Sequence, residues 1–156
     1  MEKFMSPRLD YHKQSPEGIA PLRQLEEYLR KSSVEKSLLH LVKTRASQIN
    51  GCAHCLDMHT KDARAGGETE QRLYTLSAWR DAPFFSDRER AALAFAECVT
   101  LISERRDDEA VYKELRRHFS DKEIIDLTLA IIAINAWNRL AITFRAEVGS
   151  YQPGKE

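Results

Sequence analysis

Patterns that favour β-strands are missing from this sequence of 156 residues. No segment alternates apolar and polar residues around a two-residue turn, and no segment is rich in valine and threonine. The Asn50-Gly51 pair lies instead between two segments of helical periodicity. A glycine-rich loop and long internal repeats are also missing, so neither a phosphate-binding loop nor a repeat architecture is indicated. We therefore predict an all-α fold, a single-domain bundle of about six to seven helices.

No charge of one sign dominates the chain. Lysine and arginine together number 24, aspartate and glutamate together also number 24, and no basic block occurs. This balance argues against a nucleic-acid-binding surface. The first residues hold no apolar run that could serve as a signal peptide, and no stretch approaches the length of a membrane span. We therefore expect a cytoplasmic protein with no nucleic-acid and no membrane partner.

The length of the chain suits one domain and is too short to argue for two. Residues 1–20 contain Pro7, Pro16 and Gly18 without a sustained period, which predicts an irregular N-terminal arm. Residues 21–148 form the predicted helical domain. Residues 149–156 form a polar tail that we expect to be loose.

Helix starts are marked at three places where a serine is followed three residues later by a glutamate, the pattern of a capping box. The pairs are Ser32 with Glu35, Ser86 with Glu89, and Ser120 with Glu123. The segment after the third pair, residues 124–134, is apolar nearly all round, so it needs cover on every side. In a chain this small we expect another subunit to supply part of that cover, which predicts a homo-oligomer.

Cysteine is scarce, with three residues, and two of them lie in the short segment of residues 48–59. This segment reads Gln-Ile-Asn-Gly-Cys-Ala-His-Cys-Leu-Asp-Met-His and also holds two of the five histidines. On a helix, Cys52, Cys55 and His59 fall on one face, which is the candidate site. Cys98 belongs instead to the apolar stripe of a later helix, so we predict that it packs in the core.

The position of the two cysteines favours redox chemistry. The Asn50-Gly51 turn can end one helix and begin the next, which leaves Cys52 near a helix N-terminus, where free amide groups and the helix dipole favour a thiolate. Cys-x-x-Cys spacing brings the second sulfur close enough for a disulfide. His59, one turn after Cys55, can hydrogen-bond that thiol or take its proton. Thiolate, base and second thiol are therefore present within eight residues.

Three other interpretations of the same residues stay open at this point. A structural zinc site would need four ligands, and no second Cys/His pair with ligand spacing occurs. Buried cysteines can pack as small apolar side chains without any reaction. A thioredoxin-type motif would need a βαβ setting, which this chain lacks.

The segment from Leu41 to His59 resembles the core motif of the alkyl hydroperoxidase D-like branch of the carboxymuconolactone decarboxylase superfamily. The resemblance spans roughly residues 20–146, and the cysteine motif with its downstream histidine is its specific part. It continues through four shorter runs: Arg72-Leu73, Ala78-Trp79-Arg80, Glu89 to Ala94 and Asn135 to Arg139.

The resemblance implies a role for each residue of the motif. Cys55 matches the cysteine that attacks the peroxide and passes through a sulfenic acid, and Cys52 matches the partner that donates a proton and closes the disulfide. His59 matches the histidine that activates the pair, and His54 matches a further relay histidine. The relay glutamate of the family lies twelve residues before the first cysteine, and His40 occupies that position here. A histidine can also accept a proton near neutral pH, so the relay can persist in altered form.

The predicted function is therefore that of a thiol-dependent alkyl hydroperoxide reductase that needs no cofactor and no metal. Its partners are a hydroperoxide and an external dithiol or disulfide reductant, and the motif is expected at the bottom of a cleft. The resemblance implies a trimer or a hexamer. Two alternatives are a decarboxylase of the lactone-decarboxylating branch and a non-enzymatic oligomer in which the disulfide acts as a redox sensor.

Overall fold

A computed structural model describes residues 6–104 and 108–154. Over these ranges the chain forms eight α-helices, two short 3-10 helices and no strand. The α-helices are α1 (Tyr11–Gln14), α2 (Pro16–Arg30), α3 (Lys36–Asn50), α4 (Ala53–Ala65), α5 (Glu70–Thr75), α6 (Asp87–Thr100), α7 (Glu109–His118) and α8 (Asp121–Phe144). The all-α prediction is confirmed, and the helix beyond the six to seven expected is the single turn of α1.

The N-terminal residues are more regular than predicted. Asp10 begins α1 because its carboxylate accepts the backbone N–H groups of His12 and Lys13. Pro16 occupies the first turn of α2, where a missing N–H is tolerated because no partner exists for it there. The expectation of an irregular arm over residues 1–20 was therefore wrong for the residues in α1 and α2, since a proline at a helix start was interpreted as a break. Residues 1–5 of the predicted arm lie outside the described residues.

Helix α3 lies at the centre of the bundle and packs against α4, α6 and α8. The residues that it buries among its neighbours include Leu38, Leu39, Leu41, Val42 and Ala46. Its start differs from the prediction, because Glu35 is the N-cap and no side chain caps the helix. The carboxylate of Glu35 instead accepts the guanidinium of Arg88, at 2.9 and 3.0 Å, so a contact between distant segments prevails over the local capping box.

The other two capping boxes are confirmed. Ser86 begins α6 and Ser120 begins α8, and in each case the serine oxygen accepts the N–H of the glutamate three residues later. The glutamate carboxylate in turn accepts a hydrogen bond from the serine N–H at 2.8 Å. Both helices therefore begin where the local sequence predicts.

Helix α8 is, by length and composition alone, able to span a membrane, which corrects the expectation that no stretch approaches that length. It packs against α2, α3, α4, α6 and α7 and buries nine of its residues, as the core helix of a folded domain does. Its remaining face is apolar in part, because Ile125, Ile132 and Ile142 are 60%, 49% and 46% exposed. Within residues 6–104 and 108–154, these three isoleucines of α8 are therefore only partly covered.

A buried ion cluster connects α6 to α3 and to the loop that precedes α6. The Glu97 carboxylate accepts the Arg45 guanidinium and the Trp79 indole N–H at 2.9 Å each, and Arg80 at 2.7 Å. Burial alone would raise the pKa of Glu97, but hydrogen bonds from Trp79, Arg80 and Arg45 lower it below its ordinary value. The carboxylate is therefore charged in the folded protein at neutral pH.

Replacing Glu97 with glutamine is expected to lower the free energy of unfolding by about 3 kcal/mol, because two guanidinium groups lose their counter-charge. Since the folded pKa lies below the unfolded one, this contribution is present at neutral pH and is lost as the pH falls below the ordinary glutamate value. Urea unfolding at several pH values measures both effects. Asp81→Asn, a change at an exposed residue, is the control, with an expected change within about 0.5 kcal/mol. Equal stability of the two variants would contradict a stabilising role of the Glu97 charge.

Candidate functional site

A glycine turn separates α3 from α4 and fixes the position of the first cysteine. Gly51 adopts a left-handed conformation with φ 68°, which glycine reaches without strain. The N–H of Cys52 then donates to the Ser47 carbonyl at 3.0 Å, which closes α3 in a Schellman-type arrangement. The predicted change of helix at Asn50-Gly51 is therefore confirmed, and Cys52 becomes the N-cap of α4.

Polar residues of α8 hold this turn in place. The side-chain amide of Asn50 donates to Asn135 at 3.0 Å and to Asn138 at 2.8 Å. Asn138, which is fully buried, donates to the Ser47 hydroxyl at 3.0 Å. The sequence gives no periodic signal for these contacts, because they join residues about ninety positions apart.

The two cysteines of the motif form a disulfide across the first turn of α4, with their Cα atoms 5.3 Å apart. The Cys52 sulfur also accepts the backbone N–H of Cys55 at 3.3 Å, as an N-cap side chain does. Both residues are 1% exposed and pack against Ala46, Ile134 and Ala141. The pair is therefore a buried disulfide at a helix N-terminus.

His59 lies one turn after Cys55 on α4 and is 7% exposed. Neither of its ring nitrogens has a hydrogen-bond partner among residues 6–104 and 108–154. Burial lowers the pKa of His59 well below its ordinary value, and the positive charge of Lys43 lowers it further. The ring is therefore neutral at pH 7 and offers a free lone pair next to the disulfide turn.

His40 reaches the same place from α3. Its ring lies 6.5 Å from that of His59, measured between centroids. Its Nδ1 atom is buried and has no hydrogen-bond partner within the described part of the chain. Burial lowers the pKa of His40, an effect that the nearby Asp62 carboxylate opposes. The structure thus brings together two neutral imidazoles that lie nineteen positions apart in the chain.

His54 points to a different neighbour. Its Nδ1 atom donates to the backbone carbonyl of Glu147 at 2.6 Å, and its ring is half-buried. Because a carbonyl can only accept, this contact fixes the tautomer with the proton on Nδ1. His54 therefore contacts the segment that follows α8, whereas His40 and His59 face each other.

Asp62 is a residue of the site that the sequence analysis missed. One oxygen of its carboxylate lies within 4.8 Å of a ring nitrogen of His40 and of a ring nitrogen of His59. The Tyr151 hydroxyl donates to Asp62 Oδ1 at 2.6 Å. The available signal was the spacing of three residues between His59 and Asp62, which places both on one face of α4.

The segment after α8 is bound to α4, so the expectation of a loose tail is wrong for residues 149–151. Residues 155–156 of the predicted tail lie outside the described residues. Arg145 ends α8 in a left-handed conformation, φ 55°, and the chain reverses there. The N–H of Gly149 donates to Asp57 at 3.2 Å, and Lys61 donates to the carbonyls of Gly149 and Tyr151 at 3.3 and 3.1 Å. We call residues 145–151 the C-terminal segment; its backbone groups find partners on α4, which polarity of sequence alone does not reveal.

Two surface depressions of the described chain lie away from the expected cleft around the cysteines. One, of about 380 Å³, lies between Trp79 and α7, and the other, of about 640 Å³, lies between α4, α5 and the C-terminal segment. Neither is lined by Cys52 or Cys55. With Cys52 and Cys55 each 1% exposed, both cysteines are buried in the described chain.

Comparisons with known proteins agree with this architecture. The sequence profile of the carboxymuconolactone decarboxylase family matches residues 16–97. The uncharacterized protein YdfG of Bacillus subtilis is 45% identical over 138 residues, which cover 88% of this chain and 94% of YdfG.

Two solved structures show the same fold. A protein of unknown function from Agrobacterium tumefaciens, suggested to be the antioxidant defence protein AhpD, is 43% identical, has a TM-score of 0.89 and covers 94% of this chain and all of its own. The debrominase Bmp8, solved with 2,3,4-tribromopyrrole, is 18% identical with a TM-score of 0.79, covers 88% of this chain and 74% of its own, and supports the fold alone. With its all-helical bundle and its disulfide at the start of α4, this chain belongs to the carboxymuconolactone decarboxylase family, in the AhpD-like branch.

Proposed function

We propose that this protein is a thiol-dependent hydroperoxide reductase. The observation that carries the proposal is the Cys52–Cys55 disulfide at the N-terminus of α4, one helical turn from the neutral imidazole of His59. A dithiol–disulfide couple at a helix N-terminus suits a reaction that passes through a thiolate. The name of the Agrobacterium relative, which refers to antioxidant defence, points in the same direction.

The proposed reaction begins with the reduced pair. The Cys55 thiolate attacks the distal oxygen of a hydroperoxide; the S–O bond forms, the O–O bond breaks, and the alkoxide leaves as the alcohol after it takes a proton. The Cys52 thiol then attacks the sulfenic acid, the disulfide forms and water leaves. An external dithiol reduces the disulfide by exchange and is itself oxidised. Each cycle thus transfers two electrons from the dithiol to the peroxide.

His59 is the proposed proton acceptor for the Cys55 thiol. It lies at the helical spacing of four residues, and its nitrogens have no competing partner in the described chain. A thiolate formed nearby would attract a proton on the ring and so oppose the effect of burial. His40 and His54 are proposed as secondary proton carriers, His40 from the side of α3 and His54 from the C-terminal segment.

The C-terminal segment is the proposed cover of the disulfide. Ala146 packs against the cluster that contains both cysteines, and Glu147 accepts the hydrogen bond from His54. Hydrogen bonds from Lys61 and Tyr151 hold the same segment on α4. Release of these few polar contacts is the smallest change that would open the site.

The Tyr151→Phe variant is therefore expected to expose the reduced cysteines more often. Loss of one hydrogen bond to a carboxylate should raise the rate of alkylation by iodoacetamide roughly threefold to tenfold. Mass spectrometry of the labelled Cys52 and Cys55 peptides measures that rate. Tyr74→Phe, a change at an exposed residue of α5, is the matched control. Equal rates for both variants and the unaltered protein would show that the segment does not limit access.

The proposed assembly is a homo-oligomer, a trimer or a hexamer, in the cytoplasm. The exposed isoleucines of α8 support a second copy as the cover, because they lie on a helix that buries nine of its residues within the described chain. The proposed partners are a hydroperoxide and an external dithiol, without nucleic acid or membrane.

A redox-sensing oligomer is the second candidate, and the burial of both cysteines favours it, because a sensor needs to react only once. Stopped-flow consumption of cumene hydroperoxide with excess dithiothreitol separates the two. A peroxidase consumes many equivalents of peroxide per chain, because the dithiol reduces its disulfide after each cycle, whereas a sensor whose disulfide the dithiol does not reduce consumes one equivalent and stops. Consumption of a single equivalent per chain would reject the proposed enzyme.

A further inference from the structure

We infer that His40, His59 and Asp62 form a binding site for a late first-row divalent metal ion, with zinc as the reference case. One ligand atom from each residue lies within 4.8 Å of the other two. His59 and Asp62 share one face of α4, and His40 faces them from α3, the helix packed against it. The inference rests on this geometry and not on the proposed peroxidase function.

The ligand types decide the class of ion. Two imidazole nitrogens and one carboxylate oxygen suit zinc, iron, cobalt and nickel, whereas calcium and magnesium prefer sites made of oxygens alone. Three protein ligands also leave coordination positions open for water or a small anion. The site is therefore of the open kind, unlike a closed structural zinc site with four protein ligands.

The burial of His59 provides the second observation. Its ring is 7% exposed, and both its nitrogens, together with Nδ1 of His40, lack hydrogen-bond partners in residues 6–104 and 108–154. Buried polar atoms in proteins nearly always have a partner, so three such atoms side by side call for one. Coordination of a cation would satisfy one nitrogen of each ring.

The surroundings support the third ligand. Tyr151 donates to Asp62 Oδ1 at 2.6 Å, and metal-binding carboxylates are commonly oriented by such hydrogen bonds. Two lysines oppose a cation, because Lys43 and Lys36 lie close enough to act on the charge of His40. Lys43, however, forms an ion pair with Glu26, which offsets its charge. The negative charge of Asp62 then offsets that of Lys36, so the charges around the site nearly cancel before an ion binds.

Only a small movement is required to close the site. Around zinc, with bonds of about 2.0–2.1 Å to nitrogen, neighbouring ligand atoms lie roughly 3.3 Å apart. Each side-chain tip must therefore move by about 1 Å, which rotation of an imidazole or a carboxylate provides. An ion bound in this way would occupy the lone pair of His59 beside the disulfide, so metal binding and proton acceptance by His59 exclude each other.

The experiment uses the full-length protein with its Cys52–Cys55 disulfide intact, so that neither of these sulfurs can act as a thiolate ligand. Cobalt is titrated and its visible absorption recorded, and zinc is then added to displace it. The variants are His40→Leu, His59→Leu and the conservative Asp62→Asn. His118→Gln is the matched control, because this histidine pairs with Glu114 on α7. Far-UV circular dichroism verifies the fold of each variant.

We expect one cobalt ion per chain, displaced by zinc, with affinity at least roughly tenfold lower in each ligand variant and unchanged in the control. Equal affinity in all variants, or loss of binding in His118→Gln, would overturn the inference. A cobalt–thiolate charge-transfer band would overturn it too, since it would assign the ion to a cysteine. The titration uses no peroxide and therefore tests the metal site alone. If cobalt binds here and the separate peroxide assay shows no turnover, the proposed enzyme is rejected and the metal site stands.

Discussion

Serine in place of Cys55 is expected to abolish peroxide turnover, with a loss of at least roughly 1,000-fold. The hydroxyl has nearly the shape of the thiol, so packing against the α8 residues Ile134 and Ala141 is preserved. A serine hydroxyl at neutral pH is not ionised, and no S–O bond can form. Peroxide consumption with dithiothreitol as reductant measures the loss, and unfolding in urea verifies that stability is retained.

Two further cysteine variants serve as controls for this result. Cys98→Ser changes a half-buried residue of α6 and should retain full turnover. Cys52→Ser keeps the attacking sulfur but lacks the second thiol, so it should react with one equivalent of peroxide and leave a sulfenic acid that dimedone traps. Retained turnover in Cys55→Ser would contradict the proposal, and activity of that variant on a lactone acid would favour a decarboxylase.

Leucine in place of His59 is expected to slow the oxidation of the cysteine pair by roughly 100-fold or more, because the thiol loses its proton acceptor. The same change should not reduce stability. The imidazole is buried with both nitrogens lacking partners in the described chain, a situation that costs about 1–3 kcal/mol, and leucine removes the polar atoms. Peroxide kinetics and urea unfolding of one preparation measure the two effects together.

The pH dependence adds a second measure of the role of His59. Burial holds the pKa of this ring well below its ordinary value of 6.5, so the ring stays unprotonated when the pH falls from 8 to 6.5. Protonation of His59 should therefore slow the reaction only below pH 6.5. An acid limb that His59→Leu leaves unchanged would assign the proton acceptor to another group.

His118→Gln is the matched control for the kinetic loss, because this histidine lies on α7 and contacts Glu114 rather than the cysteines. It should leave the rate unchanged. His54→Gln is the informative comparison. Since Nδ1 of His54 already donates to Glu147, its loss should affect the rate less than loss of His59. A larger effect at His54 would indicate that the proton leaves through the C-terminal segment.

Local periodicity was sufficient to predict the central geometry. The spacing of Cys52, Cys55 and His59 depends only on the helical repeat, and the Asn50-Gly51 turn depends only on the conformational freedom of glycine. Both are properties of a few neighbouring residues, so the sequence contains all the information needed. The two serine–glutamate boxes at Ser86 and Ser120 are confirmed for the same reason.

Contacts between distant segments were not predictable in this way. Asp62 belongs to the site because it lies near His40, which is on another helix. Tyr151 contacts Asp62 from the segment that follows the left-handed residue at the end of α8. The box at Ser32 failed for a related reason, since Arg88 competes for the carboxylate of Glu35. Resemblance to a family drew attention to His40, but it did not indicate that His40 would face His59.

The proposed cover of the disulfide by the C-terminal segment also has a consequence for how reduction depends on the reductant. If the sulfurs react only when this segment lifts, the observed rate rises with dithiol concentration at first and then reaches a plateau equal to the lifting rate. That ceiling would be the same for small and large dithiols, because it belongs to the protein and not to the reagent. Kinetics with two reductants of different size would thus report on a motion within the protein rather than on the chemistry of exchange.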